Sequence, residues 1–204
     1  MTHRMVHGCV RTGRQGGQPA VWLGLVLLLG LLLPAPTLAQ VGRNSCIGVD
    51  ACEDNTGTIG NVSCNGTNSI CGHNTGQIKN NACNADAACH DNKGTIGNAS
   101  CNDFDACGEN TGTIGNASCN AESACHPGPG LPPTGTIGNE SCNAESACDD
   151  NTGTIRNNAC NAESACQDNV GIIGNNSCNA AGACIGNTGT IGNNQCNTPG
   201  ACAL

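Results

Sequence analysis

Sulfur is the most reactive element that this chain carries in quantity, and its spacing is regular. Nineteen cysteines occur. Beyond Cys9 they fall by spacing into Cys46 and Cys52, Cys64 and Cys71, Cys83 and Cys89, Cys101 and Cys107, Cys119 and Cys125, Cys142 and Cys148, Cys160 and Cys166, Cys178 and Cys184, and Cys196 and Cys202. Partners stand six residues apart, seven for Cys64 and Cys71. Zinc sites favour closer spacings such as Cys-x2-Cys, and none occurs, so the expectation is no structural metal and no cofactor. Asp54-Asn55 and Asp149-Asp150-Asn151 resemble only loosely the Asp-bearing, Gly-rich nonapeptides of calcium solenoids. The acidic residues vary from unit to unit, which suits a solvated edge.

Threonine is the second patterned residue. Thr56 and Thr58, Thr111 and Thr113, Thr134 and Thr136, Thr152 and Thr154, and Thr188 and Thr190 each flank a glycine. Residues two apart on a strand project the same way, so stacked units would carry two outward threonine columns. Threonine is also simply a good strand residue. Catalytic chemistry has no such pattern. His73, His90 and His126 stand at corners of different repeats, and Ser63, Ser100, Ser118, Ser141 and Ser177 precede cysteine without a recurring base. No nucleophile elbow or phosphate loop is present. Residues repeated in every unit form ladders, whereas catalysis needs different residues converging on one point. The expectation is a protein that is not an enzyme.

The elements that position these residues follow from the period. First cysteines recur every 18 residues, with 19 between Cys64 and Cys83 and 23 between Cys119 and Cys142. Recurrent Gly and Asn disfavour helix, and no 3.6-residue apolar period is present. Thr-Gly-Thr-Ile-Gly alternates as a strand does, with Thr on one side and Gly and Ile on the other. The predicted fold is all-β, a disulfide-stapled β-solenoid (β-helix) of about nine 18-residue coils, each a triangle of three short sides. Gly60, Gly97, Gly115, Gly138, Gly174 and Gly192 follow the isoleucine and suit tight corners. Stacking at ~4.8 Å gives a rod of about 43 Å.

Its interior would be Ile, Cys and small Ala or Gly. Trp22 and Phe104 are the only large aromatics, so the core is thin. Closing a Cys-x5-Cys loop contributes about 2 kcal/mol on a chain-entropy basis, and nine such bridges are large beside a typical net stability of ~5–15 kcal/mol. Pairing within a repeat, such as Cys142 with Cys148, is favoured. Pairing between neighbours, such as Cys148 with Cys160, stays open, because connectivity is not readable from sequence. Asn follows the first cysteine in every repeat but the one with Ile47. Stacking would make these asparagines a column bonded to one another or to corner backbone. The extra residue before Cys71 is expected to form a bulge. The segment His126-Pro-Gly-Pro-Gly-Leu-Pro-Pro133 is expected to protrude as a stiff loop, because proline cannot join a central ladder.

The N-terminus sets the compartment. Arg4, Arg11 and Arg14 precede an apolar run from Ala20 to Leu33 and then Pro34-Ala-Pro-Thr-Leu-Ala39, the order of a secretory signal. Cleavage after Ala39 divides the chain into a signal peptide, residues 1–39, and a cysteine-rich repeat domain, residues 40–204. The product is expected outside the cell or on its surface, with no membrane span. It keeps four Lys/Arg against fifteen Asp/Glu, a net of −11. An acidic surface repels phosphate backbones, so nucleic acid is not an expected partner. Export and an even cysteine count together point to disulfides. Sequons occur at Asn61, Asn65, Asn98, Asn116, Asn139 and Asn175, and five of them share one repeat position, where a turn role explains them without glycans. Solenoids normally cap an open edge. No cap is visible around Ala203, so end-to-end association with itself is an expected behaviour, alongside contact with an extracellular surface.

Two resemblances add to this reading. Gly174-Asn-Asn-Ser-Cys178-Asn-Ala-Ala-Gly-Ala-Cys184 resembles the Gly-x-Asn-Ser-Cys-Asn-x3-Ala-Cys arrays of exported microbial repeat proteins. That likeness covers the whole repeat region and implies export and repetition without an activity. In its Cys-x5-Cys spacing and Thr-x-Thr columns the chain also resembles the beetle antifreeze β-solenoids, which implies an ice-binding face. It departs from them in its longer coils, in Thr flanking Gly rather than Cys, and in Gln77, Lys93 and the pair Val170 and Ile172 standing at threonine positions. A carbohydrate- or receptor-binding module using the proline loop is a further expectation.

Overall fold

The computed structural model describes residues 39–128 and 135–203. Residues 1–38 of the expected signal lie outside them, as do Thr134 and most of the proline segment. Each repeat contributes one strand: β1 (Gln40–Val41), β2 (Thr58–Ile59), β3 (Gln77–Ile78), β4 (Thr95–Ile96), β5 (Thr113–Ile114), β6 (Thr136–Ile137), β7 (Thr154–Ile155), β8 (Ile172–Ile173) and β9 (Thr190–Ile191). They pair in parallel, in chain order, as one nine-stranded sheet. The chain is therefore a parallel β-solenoid, with no helix among the described residues. We number the coils 1 to 9 by their strands; coil 7, for example, holds β7 and the bridge Cys160–Cys166. Only one side of each coil is a strand, so the triangle of three comparable sides is replaced by one strand and a series of turns.

Strand register is fixed by the isoleucine. Ile59, Ile78, Ile96, Ile114, Ile137, Ile155 and Ile173 pair in line and are all buried. Slipping one coil by a residue would turn its isoleucine to solvent and a threonine inward. Alanines and cystines complete the apolar interior. Two polar ladders share it, and composition alone did not place them there. The asparagine preceding Thr-Gly-Thr is buried in coil after coil. Asn74 Nδ2 donates to Asn55 Oδ1 at 2.7 Å, Asn92 to Asn74 at 2.7 Å and Asn110 to Asn92 at 2.8 Å. Beyond the proline segment, Asn169 donates to Asn151 at 2.7 Å and Asn187 to Asn169 at 2.8 Å. The serine before the first cysteine is buried as well. Ser141 Oγ lies 2.8 Å from the Arg156 carbonyl, and the Ala159 N–H donates to it at 3.2 Å. One hydroxyl thus meets a donor and an acceptor of the next coil, as buried polar groups require.

Glycine plays a different role from the one expected. The glycines after isoleucine do not adopt left-handed backbone. The turning falls mostly to non-glycine residues, in coil 7 Asn158, Cys160, Ser164 and Asp168, with φ of 55°, 58°, 49° and 58°, although coil 8 uses Gly182 and Gly186 at two of these positions. Left-handed L-residues cost roughly 1–2 kcal/mol each, a load that ladders and bridges must offset. Gly97 is needed for another reason. A Cβ there would sit 2.5 Å from Gly115 C and 2.7 Å from Asn116 N in the next coil, so only hydrogen fits between stacked backbones.

The extra residue of coil 2 is not a bulge in a strand. Pairing of β2 with β3 runs in plain register, Thr58 with Gln77 and Ile59 with Ile78. The residue is absorbed instead in the turn before Cys71, where Asn68 and Ser69 are both left-handed. Asp86 of coil 3 anchors that turn, accepting from Asn68 Nδ2 at 2.9 Å and Thr67 Oγ1 at 3.0 Å. Those two hydrogen bonds hold the Asp86 carboxyl below its ordinary range.

Candidate functional site

Three sets of residues need placing: the cysteines, the threonines and the scattered histidines. The cysteines are joined within repeats: Cys46–Cys52, Cys64–Cys71, Cys83–Cys89, Cys101–Cys107, Cys119–Cys125, Cys142–Cys148, Cys160–Cys166, Cys178–Cys184 and Cys196–Cys202. Neighbouring coils are not cross-linked to one another. Most of the sulfur is buried beside the alanines, so it serves the coil and offers no thiol to a substrate or metal. The first cysteine of each coil is left-handed, Cys101 at 57° for example, and its partner returns from the far end of the turn.

The asparagine after that cysteine forms an outer column. In coil 3 the Asn84 N–H donates to Asn102 Oδ1 at 3.1 Å, and Asn84 Nδ2 donates to the Val62 carbonyl at 3.2 Å. The sequon asparagines are engaged too. The Asn98 N–H donates to Asn116 Oδ1 at 2.8 Å, and the Asn116 N–H to Asn139 Oδ1 at 2.8 Å. Asparagine thus works as a backbone surrogate, its amide filling a ladder where the chain turns away.

The threonines gather on one face. The register sets Thr58, Gln77, Thr95, Thr113, Thr136, Thr154, Ile172 and Thr190 in one column. Thr56, Thr111, Thr152 and Thr188 stand two residues ahead of that column in their coils, while Thr134 lies outside the described residues. Thr111, Thr113, Thr188 and Thr190 are exposed, whereas Thr152 and Thr154 are half-buried. Thr75 and Thr95 extend the pattern across coils where one threonine of the pair is replaced. Lys93, Gln77, Val170 and Ile172 are all exposed and interrupt it. The result is a flat, mixed face: mostly hydroxyl and methyl, with one cation and one apolar step.

The third set was missed by sequence reasoning. The residue after the second cysteine is His90 in coil 3, Gly108 in coil 4 and His126 in coil 5. The two histidines share a column two coils apart, with no side chain between them. Their ring centroids come to 6.2 Å. Asp105, left-handed at φ 51° in coil 4, reaches into the gap. Its Oδ1 lies 3.6 Å from His90 Nδ1 and its Oδ2 lies 3.7 Å from His126 Nε2. The side chains are 27%, 25% and 20% exposed for His90, Asp105 and His126. Gly108 makes the space: a Cβ there would strike His90 Cε1 and lie 2.8 Å from Asp105 Oδ1. The only available signal was columnar. Aligning the repeats shows His, Gly and His in succession, and a stacked fold turns such a succession into a neighbourhood.

His73 offers a contrast. It faces Asp54 with Nε2 at 3.7 Å and Asp91 with Nδ1 at 3.9 Å. Opposite ring nitrogens are used and all three side chains are well exposed, so nothing converges. Further along the other column, Asp149 follows His126 in coil 6. Burial, then the charge of Asp150, push its carboxyl up to about 6, with His126 pulling the other way.

Compared with protein families, the chain matches Domain of unknown function (DUF7640) over residues 35–124 and 130–203. No curated protein matches it, and no solved structure does. The gap between the two matched stretches, residues 125–129, holds His126 and the start of the proline segment.

Proposed function

We propose that this chain, which belongs to the family described as Domain of unknown function (DUF7640), is an extracellular, non-enzymatic structural repeat protein. It is a stiff rod that presents repetitive faces to a surface and to further copies of itself. One observation carries the reading: the recurrent serines and asparagines are used up in holding coil to coil. The buried serines bond the neighbouring backbone, the Asn74-to-Asn110 ladder is sealed in the interior, and the outer asparagines replace backbone partners. Nine bridges suit an oxidising, extracellular environment, and among the described residues no helix is long and apolar enough to cross a membrane. Self-association would repeat between copies the parallel pairing that joins β1 to β9, since strand edges recruit further strands. Light scattering over a concentration series tests this. The wild-type chain gains mass with concentration, and Thr190→Pro, which cannot extend the ladder, does so less. A strict monomer at high concentration overturns the association.

The threonine face favours ice binding as a second reading. Its support is the in-register column from Thr58 to Thr190; Lys93 and the Val170–Ile172 step weigh against it. Thermal hysteresis that is lost in Thr152→Tyr supports it, and ice growth unaffected by the wild-type chain removes it. Carbohydrate or receptor binding at the proline loop rests on residues largely outside the described ones. Binding that survives deletion of residues 127–133 rules out that location.

A further inference from the structure

The column His90, Gly108, His126 is unlike the rest of the rod. In the serine and asparagine columns one kind of residue recurs and its polar atoms find partners in neighbouring coils. Here three different side chains from three coils converge on one small space, and one buried atom is left over. Asp105 Oδ1 is buried with no hydrogen-bond partner. His90 Nδ1, the nearest nitrogen at 3.6 Å, is 2.9 Å from the Ala87 carbonyl. With its proton on Nδ1, neutral His90 donates it to Ala87 and leaves Asp105 Oδ1 without a donor; with the proton on Nε2 instead, the Nδ1 lone pair is free to join Asp105 in holding a cation. A buried carboxylate oxygen without a partner costs several times more than an ordinary lost hydrogen bond, and a cation would satisfy it.

We propose that His90, Asp105 and His126 bind one divalent transition-metal ion of the zinc type, through two imidazole nitrogens and one carboxylate oxygen, with water at the remaining positions. The geometry is close to what such an ion asks. Tetrahedral ligands at ~2.0–2.1 Å from zinc stand about 3.3 Å apart, and the Asp105 carboxylate lies 3.6 Å from His90 Nδ1 through Oδ1 and 3.7 Å from His126 Nε2 through Oδ2. One donor atom from each residue lies within 4.8 Å of the others, so a modest rotation of the histidines closes the set. Imidazole donors select against calcium and magnesium, which take all-oxygen shells. The acidic surface, net −11 after signal removal, concentrates cations, and Asp149 stands beside His126. The disulfides leave no thiol to compete. The side chains remain partly open to solvent, so the ion has an entry path.

The site spans coils 3, 4 and 5, so the metal clamps three turns of the rod. The test uses the oxidised, tag-free chain without residues 1–39, stripped with a chelator and titrated calorimetrically with Zn2+. One equivalent binds, and the thermal midpoint rises with the metal. His126→Ala and Asp105→Asn each weaken binding by ~100-fold or more, since even outer partners of such ligands are worth 10–100-fold. His73→Ala leaves it unchanged. Gly108→Ala fills the gap and abolishes binding. Because that variant can also disturb stacking, circular dichroism and a non-reducing peptide map of His126→Ala must match those of the wild type. No saturable binding, or binding that persists in both His126→Ala and Asp105→Asn, overturns the site. Loss in His73→Ala instead places the metal elsewhere and overturns it equally.

Discussion

Asn92 donates from Nδ2 to Asn74 Oδ1 across 2.7 Å, and its own Oδ1 receives Asn110 Nδ2 at 2.8 Å. All three residues are fully buried. Each amide is a donor to the coil before and an acceptor from the coil after, so the stack carries a hydrogen-bonded wire through its interior. Asn92 Oδ1 also takes the Gly94 N–H at 3.2 Å, tying the wire to the strand that follows.

Replacing the middle of that wire leaves partners stranded on both sides. Asn92→Ala removes the donor to Asn74 and the acceptor for Asn110 and opens a small void. With about 1–3 kcal/mol for each stranded polar group, the loss should reach ~2–5 kcal/mol. Denaturant midpoints check this. A change below about 0.5 kcal/mol would mean that water fills the ladder at no cost.

Glycine substitutions should rank opposite to their backbone angles. Gly182 is left-handed at φ 59°, yet a Cβ there meets only Ile185 Cδ1, at 3.4 Å, and Ala87 holds the matching position of coil 3 at φ 54°. Gly182→Ala should cost only about 1 kcal/mol. Gly97 has ordinary backbone, but a Cβ there drives into Gly115 and Asn116, so Gly97→Ala must push neighbouring coils apart. We expect it to lower the unfolding midpoint far more than Gly182→Ala, by thermal melts of both.

Each bridge closes a loop of only a few residues, so its removal should be felt locally. Cys142→Ser with Cys148→Ser should lower stability by about 2 kcal/mol on loop entropy alone, and further because two hydroxyls replace buried sulfur. Full reduction should erase the strand signal in circular dichroism. A reduced chain that keeps it would show that the ladders suffice.

Asp149 should make the rod less stable as pH rises. Its folded-state pKa, about 6, lies above the ordinary value of 3.8. The native state therefore holds its proton more tightly than the unfolded chain does. The contribution favours folding below pH ~4, falls as pH rises from about 4 to 6, and stays absent above. Asp149→Asn removes this dependence. The difference in melting temperature between variant and wild type should grow from near zero at pH 4 to a plateau above pH 6, in favour of the variant. A difference independent of pH would contradict the assignment.

The repeats made much of the architecture legible. An 18-residue period, alternating Thr-Gly-Thr-Ile and paired cysteines lead directly to stacked parallel strands with isoleucine inside. Those features are local, and a stacked fold turns local repetition into global order. What the sequence alone determined was therefore the coil: its length, its strand, its inward residue and the sulfur to close it. The tertiary structure decided what passes between coils. It put Asn92 in the interior where polarity suggested the surface, because a partner lies one coil away on each side. It made Gly97 a matter of backbone clearance, since the obstacle belongs to another coil. It also drew His90, Asp105 and His126 together, 36 positions from first to last, because stacking distance in a solenoid is counted in coils and not in residues.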